Sequence, residues 1–111
     1  MSTLSHLLKY EGVVGALRFY DDGTVAESIG EFEPSHLLLA ADMCFANSRL
    51  TQQSADMLAL FSNQKGWPPA GWIMIGEELS VCALEDMACF VRNKDVSYNQ
   101  ILAALIDIND F

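Results

Sequence analysis

The chain has 111 residues, of which 51% are hydrophobic and 10% aromatic, which is enough for one hydrophobic core and too little for two. Its 15 acidic residues outnumber 6 basic ones and give a formal net charge of −9. Because nucleic acids and anionic membranes are bound mainly through clustered Lys and Arg, this charge argues against both as partners.

From the sequence we expect no targeting or membrane-spanning segment. The opening stretch MSTLSHLLKYEGVV has no basic region before its short apolar run, and no stretch approaches the roughly 20 apolar residues of a membrane span. The three cysteines, in a chain without a signal peptide, indicate reduced thiols rather than a disulfide framework. We therefore expect a cytoplasmic protein.

The first predicted element is a short helix. In STLSHLLKY three leucines lie at helical spacing on one side, and Ser2 or Thr3 can cap the free amides. The leucines are Leu4, Leu7 and Leu8, and the helix is expected to end near Gly12.

A β-hairpin is predicted next. The strand-like segments VVGALRFY and TVAESIG are joined by Asp21-Asp22-Gly23, and Asp-Gly supplies the positive φ angles that a tight turn needs. A two-residue turn at Asp22-Gly23 sets Arg18 opposite Glu27 across the ladder. A three-residue turn would break that pairing.

The middle of the chain predicts one long helix. Pro34 suits a first helical position, and no Pro or Gly interrupts the segment until about Asn63. The charged residues Asp42, Arg49 and Asp56 lie on one narrow stripe of this helix. One apolar row consists of Leu37, Ala41, Cys44, Ser48, Ala55 and Leu58, and a second row consists of Leu39, Met43, Ala46, Leu50, Met57 and Phe61. Together the rows span more arc than one sheet can cover.

The last third predicts a loop, three strands and a helix. GWPPAGW cannot be helical, because its two prolines remove backbone donors. GWIMIG, LSVCALE and MACFVRN are typical of a meander, and both faces of its last two strands are apolar, so the sheet must be covered on both sides. In SYNQILAALIDI, Ser97 and Gln100 fit a capping box. The predicted order is α-β-β-α-β-β-β-α.

The cysteines are the first candidates for chemistry. If Glu85 and Asp86 form a two-residue turn, Cys82 lies opposite Cys89, at a separation that a strained disulfide can span. A redox pair is one interpretation, and inert packing in the core is the other. If Cys44 faces the sheet, a three-thiol cluster is conceivable. No histidine is spaced to complete a zinc site, so we expect neither a metal nor a cofactor.

Catalytic motifs are missing from the sequence. It contains no nucleophile elbow, no HExxH and no phosphate-binding glycine loop, so an enzyme is not expected. Trp67 and Trp72 bracket two prolines, and an exposed Trp67 would be a candidate for partner binding. The alternative is that it stacks on a proline and fixes the loop.

The element order resembles the Roadblock/dynein light chain family. The motifs EGVVGALRFYDDGTV, MCFAN and GWPPAGWIMIG followed by SVCAL are similar to a prokaryotic branch of that family catalogued as a domain of unknown function. The resemblance covers essentially the whole chain and implies a single domain over residues 1–111. It implies an α+β, profilin-like α/β/α fold: a five-stranded antiparallel sheet in order 2-1-5-4-3, with the long helix on one face and the terminal helices on the other.

The resemblance also implies a homodimer in which the long helix and the third strand meet their symmetry mates. A partner would account for the excess apolar arc of the helix. The implied interface comprises Leu39, Met43, Ala46, Leu50, Met57, Trp72 and Met74, although which helix row faces the partner stays open.

Family members act mostly as non-catalytic scaffolds or regulators of small GTPases and motor assemblies. The implied function is therefore a homodimeric interaction module that binds a further protein, with a small GTPase as one candidate. In the family strand order, Asp21, Asp22, Glu85 and Asp86 gather on one rim that suits a basic partner or a divalent cation; solvated turns are the simpler alternative. The alternative function is a small-molecule or redox sensor with a pocket between helix and sheet near Cys44, Cys82 and Cys89.

Overall fold

The computed structural model describes residues 3–62 and 71–109. Its strands are β1 (Val13–Phe19), β2 (Val25–Gly30), β3 (Gly71–Ile75), β4 (Leu79–Leu84) and β5 (Met87–Arg92). They form one antiparallel sheet in the order β2-β1-β5-β4-β3. The strand order implied by the family resemblance is confirmed.

In the described ranges, three helices cover the sheet. A 3-10 helix spans Thr3–Lys9, α1 spans Pro34–Ser62 and α2 spans Tyr98–Asn109. The 3-10 helix and α2 pack on one face and α1 packs on the other, which confirms the three-layer α/β/α arrangement. None of the helices in the described ranges combines the length and apolarity needed to cross a bilayer.

The N-terminal helix is a 3-10 helix, and this changes which leucines it buries. Leu4 and Leu7 are fully buried, whereas Leu8 is exposed. With three residues per turn, residues three apart eclipse each other and the next residue turns away. The prediction that all three leucines lie on one side of the helix is therefore wrong for Leu8.

The first hairpin has a three-residue turn. The Tyr20 N–H donates to the Thr24 carbonyl at 2.8 Å and the Gly23 N–H donates to the Tyr20 carbonyl at 2.9 Å, while Gly23 has a φ of 85°. Arg18 nevertheless pairs with Glu27, because the ladder shifts by one residue between Arg18 and Phe19. This bulge absorbs the extra turn residue. The expectation that a three-residue turn breaks the Arg18–Glu27 pairing is wrong.

The β4–β5 hairpin has the two-residue turn that the sequence predicts. Leu84 pairs with Met87, so Glu85 and Asp86 form the turn, and Cys82 pairs directly with Cys89. Glu85 takes a φ of 56°, a left-handed conformation that disfavours residues with a Cβ.

Two hydrophobic clusters lie on opposite faces of the sheet. The first joins the 3-10 helix and α2 to the sheet through Leu4, Leu7, Ala16, Cys82, Leu84, Met87, Cys89, Val91, Ile101, Ala104 and Leu105. The second, under α1, is smaller and consists of Leu17, Phe19, Ala41, Cys44, Ala83 and Ala88. Successive residues of a strand point to opposite faces, which separates Cys82 from Ala83 and Ala88 from Cys89.

A polar network lies beside the start of α2, on the face of the sheet that the 3-10 helix and α2 cover. The buried Ser80 hydroxyl donates to Asn93 Oδ1, and the Tyr98 hydroxyl donates to the same oxygen at 3.1 Å. Asn93 Nδ2 donates to the Gly76 carbonyl at 2.7 Å. Ser97 caps α2 as predicted, since its hydroxyl accepts the Gln100 N–H at 3.4 Å. The network ties α2 to the β3–β4 turn.

Candidate functional site

Helix α1 turns one apolar row toward the sheet and the other away from it. In the first row, Ala41 and Cys44 are fully buried and Leu37 is half-buried. The second row is called the outer row here and consists of Leu39, Met43, Ala46, Leu50, Met57 and Phe61. Leu50 is 61% exposed and Phe61 is 89% exposed, and only Met43 packs against the cluster under α1. The outer row is thus the one that a partner can cover.

Strand β3 is an unprotected edge of the sheet. Among the described residues it pairs only with β4, without any shift in register, and it has no charged residue and no proline. Ile75 is 67% exposed and Met74 is 46% exposed. The other edge strand, β2, has a charged side chain at Glu27 and is paired through a bulge. Natural edge strands use charges and bulges to avoid pairing with strands of other chains. Of the two edges, β3 is therefore the one that can pair with another strand.

A groove of about 320 Å³ separates the middle of α1 from β3. Its lining consists of Asn47, Leu50, Thr51, Ser54, Trp72, Ile73 and Met74. Three members of the implied dimer interface therefore share one surface: Leu50, Trp72 and Met74. The polar residues of the groove escaped sequence reasoning, although Asn47, Thr51 and Ser54 lie at helical spacing next to Leu50.

Trp72 is anchored to α1 and is not free. Its indole Nε1 donates a hydrogen bond of 3.0 Å to the Ser48 hydroxyl, and its ring packs against the cluster under α1. Trp67 falls between the described ranges, so its predicted role in partner binding lies outside the described residues.

The acidic turns converge as the strand order implied. Asp21, Glu85 and Asp86 line a recess of about 250 Å³ beside α1. The Phe19 N–H donates to the Asp86 carbonyl at 3.0 Å and holds the two hairpins together. Asp22 is not part of the lining: its carboxylate accepts from the Thr24 hydroxyl at 2.6 Å, and this bond lowers the pKa of Asp22.

Arg18 lies behind this acidic rim. Its guanidinium donates to Glu27 Oε1 at 3.0 Å, and its Nε lies 3.7 Å from Asp86 Oδ2. Another guanidinium nitrogen donates to the Met87 sulfur at 3.1 Å. Asp86 is therefore partly neutralised, whereas Asp21 and Glu85 make no hydrogen bond or ion pair within the described residues.

The three thiols do not meet. Cys82 and Cys89 face the terminal helices, whereas Cys44 lies under α1 on the opposite face. The three-thiol cluster that the sequence left open is therefore not formed, and the alternative of one pocket near all three cysteines is wrong. Burial raises the pKa of Cys44 and Cys89 to about 12 and that of Cys82 to about 11. Such thiols are poor nucleophiles at neutral pH.

The described residues do not bring metal ligands together. No group of three or more His, Cys, Asp or Glu in residues 3–62 and 71–109 is arranged to hold a metal ion. His36 is exposed on α1 with its Nδ1 3.8 Å from Glu33, and His6 is exposed on the 3-10 helix. The acidic rim is thus better suited to a basic side chain than to a cation held by several ligands.

Solved structures share this fold. A Roadblock/LC7 domain from Streptomyces avermitilis superimposes with a TM-score of 0.73 at 11% identity, covering 96% of this chain and 88% of that chain. Gliding protein MglB from Thermus thermophilus gives 0.70 at 18% identity, covering 96% and 84%. MglB of Myxococcus xanthus gives 0.67 at 13% identity, covering 88% and 78%.

The sequence itself places the chain in a family. No curated protein matches it. A family model described as an uncharacterized conserved protein, DUF2173, matches residues 3–107. The chain therefore belongs to the DUF2173 family and has the fold of a Roadblock/LC7 domain.

Proposed function

We propose that this protein is a non-catalytic, homodimeric interaction module that regulates or scaffolds another protein. The observation that carries the proposal is the outer row of α1, which stays exposed beside the open edge of β3 although it is apolar. Contiguous apolar surface of this kind marks an interface in soluble proteins. The interface that the family resemblance implies uses the same elements.

The outer row is self-complementary about Leu50. Leu39 and Phe61 lie equally far from Leu50 along α1, and so do Met43 and Met57. A two-fold axis at Leu50 makes the two α1 helices antiparallel. Leu39 of one copy then lies against Phe61 of the other. In an isologous interface each contact occurs twice, so a row with this symmetry can bury itself completely.

Strand β3 fits the same axis. Its free edge lies across the groove from Leu50, and antiparallel pairing of two β3 strands about Ile73 joins two five-stranded sheets into one. Trp72 then lies opposite Met74 of the second copy on the α1 face. Pairing the two edges satisfies backbone groups that would otherwise invite aggregation.

The partner beyond the second copy is proposed to be a small GTPase. The family resemblance supports this class of partner, and three similar structures are MglB proteins, of which one beyond the two described above has a tetrameric arrangement. The net charge of −9 supports a protein partner with basic groups over an acidic one.

The self-association is tested by charge substitution on α1. Leu50→Asp places two carboxylates at the axis and should weaken the dimer by at least about 100-fold, since burying an unpaired charge costs about 3 kcal/mol or more. Leu38→Asp is the matched control, because Leu38 is similarly exposed but lies about 120° around α1 from Leu50. Light scattering after size exclusion gives the mass of each variant.

The wild type and Leu38→Asp should have about twice the mass of one 12.3 kDa chain, and Leu50→Asp should have the mass of one. A monomeric wild type, or equal loss of the dimer in both variants, would refute the proposal.

The GTPase is tested by capture from a lysate of the source organism, with a GTP analogue in one arm and GDP in the other. A small GTPase retained in stoichiometric amount by the wild type in one nucleotide state supports the assignment. Retention of no GTPase in either arm contradicts it and leaves the homodimer as a separate result.

A further inference from the structure

The recess between the two acidic turns has an aromatic floor and a charged rim. Two hairpin ends and the middle of α1 enclose it, and its lining consists of Phe19, Asp21, Phe45, Ser48, Arg49, Gln52, Glu85 and Asp86. At about 250 Å³ it is smaller than the roughly 300–1,000 Å³ of small-molecule sites. It has the size of a pocket for one side chain of a partner protein.

The floor is made of two phenylalanine rings. Phe19 and Phe45 pack edge to face with their centroids 6.4 Å apart. The Arg49 guanidinium already lies 5.5 Å from the centroid of the Phe45 ring. Stacking of a planar cation on an aromatic face is therefore a contact that this surface makes with its own chain.

The rim of the recess carries negative charge, which a cation would complement. Three carboxylates and one guanidinium line the recess. Asp86 is shared with Arg18, but Asp21 and Glu85 make no ion pair within the described residues and lie on two different hairpins. Carboxylates on two sides of an aromatic floor suit the planar fork of arginine better than the compact ammonium of lysine.

We propose that this recess receives an arginine side chain of the protein partner, with its stem on Phe19 and Phe45 and its guanidinium between Asp21 and Glu85. This inference rests on the proposed function, because it names the chemistry by which the module recognises its partner. The recess lies on the flank of α1 opposite the β3 groove, since Ser48, Arg49 and Gln52 line one and Asn47, Thr51 and Ser54 line the other. Each copy in a dimer therefore keeps its own recess.

The recess also touches the self-association surface at one residue. Ser48 lines the recess and accepts the hydrogen bond from Trp72. Occupation of the recess should consequently change the environment of the Trp72 indole, which a Trp67→Phe variant reports without interference from the second tryptophan.

The test uses two short peptides as probes. Acetyl-Gly-Arg-Gly-amide carries the guanidinium, and the same peptide with citrulline keeps the shape but not the charge. In a titration followed by two-dimensional ¹H–¹⁵N NMR, the arginine peptide should shift amides of Asp21, Ser48, Gln52 and Glu85. The citrulline peptide should bind at least about tenfold more weakly, because hydrogen bonds to ionised groups are the stronger ones.

A matched pair of double variants separates the site from general acidity. Asp21→Asn with Glu85→Gln should weaken binding of the arginine peptide by about tenfold or more. Glu77→Gln with Glu78→Gln removes the same charge from the turn at the other end of β4 and should leave binding unchanged. Equal binding of both peptides, equal loss in both double variants, or shifts spread over all acidic segments would overturn the proposal.

The mass of each sample distinguishes this inference from the proposed function. If the protein is a dimer and does not bind the arginine peptide, the proposed arginine site is wrong and the proposed homodimer is unaffected. A monomer that binds the peptide at these amides supports the recess and refutes the homodimer.

Discussion

The face of the sheet under the two terminal helices is closed, whereas the face under α1 is only half closed. On the first, Leu4, Leu7, Ile101 and Leu105 are buried almost completely, and the Ser80 network seals the start of α2. On the second, α1 buries one row and exposes the other beside an unpaired edge. This difference supports the proposal that the closed face provides most of the stability of the single chain and that the α1 face binds a partner.

Truncation of one leucine on each face should separate these roles most strongly. Leu105→Ala should lower the free energy of unfolding by about 3 kcal/mol at any protein concentration, because it leaves a cavity in the closed core. Leu50→Ala should lower the free energy of unfolding by an amount that grows with protein concentration, because dimerisation stabilises only the folded state. Urea unfolding at two concentrations measures both. A concentration-independent loss in Leu50→Ala would contradict the assignment of the faces.

The stability at alkaline pH tests whether water is excluded equally from the two faces of the sheet. All three buried thiols have a raised pKa, between about 11 and about 12, against an ordinary value of 9.0. The stability that the neutral thiols contribute is therefore complete below pH 9 and is lost as the pH rises toward 12. Each thiol should contribute about 1.4 kcal/mol of loss per pH unit in that window.

Single cysteine variants show how much each face contributes to the decrease of the free energy of unfolding with pH. Cys44→Ala and Cys89→Ala should each remove about one thiol's share of the slope, because both side chains are fully buried. A slope that depends on Cys89 but not on Cys44 would show that water reaches the α1 face.

The polar seal of the closed face should contribute less than its leucines. Ser80→Ala removes one donor to Asn93 Oδ1 but leaves the hydrogen bond from Tyr98, so a loss of about 1 kcal/mol is expected. Thermal unfolding of the variant measures it. A loss as large as that of Leu105→Ala would mean that the network, rather than the apolar core, holds α2 in place.

Thiol labelling gives the smallest but most selective signal. In the wild type we expect all three cysteines to react with a maleimide only as fast as the protein opens. Leu50→Asp should accelerate labelling of Cys44 alone, since loss of the partner frees α1 and not α2. Rapid labelling of Cys82 or Cys89 in the folded protein would revive the redox interpretation.

Much of the fold could be predicted from local rules. Pro34 and the uninterrupted segment after it define α1, and the alternation of apolar residues in β4 and β5 requires cover on both faces. The opposition of Cys82 and Cys89 followed from a two-residue turn alone. These features depend on neighbours in sequence, which periodicity reports directly.

What the sequence did not predict depends on contacts between distant segments. The bulge that preserves the Arg18–Glu27 pair and the meeting of Ser80, Asn93 and Tyr98 arise only when three strands and a helix are assembled. Cys44 was grouped with the other thiols because a helix row does not reveal which face of the sheet it will cover. The strand order implied by the family resemblance brought the acidic turns together, whereas the aromatic floor depends on how α1 packs on β1, which the sequence does not show.

Site-specific cross-linking at Leu50 tests the antiparallel arrangement of two α1 helices. With antiparallel helices about a two-fold axis at Leu50, a cysteine at that position is its own mate, whereas one at Leu39 faces the opposite end of the partner helix. A short bis-maleimide should therefore convert Leu50→Cys into covalent dimers and leave Leu39→Cys uncoupled, the native thiols being buried. Uncoupled Leu50→Cys, or equal coupling at both positions, would contradict the antiparallel homodimer.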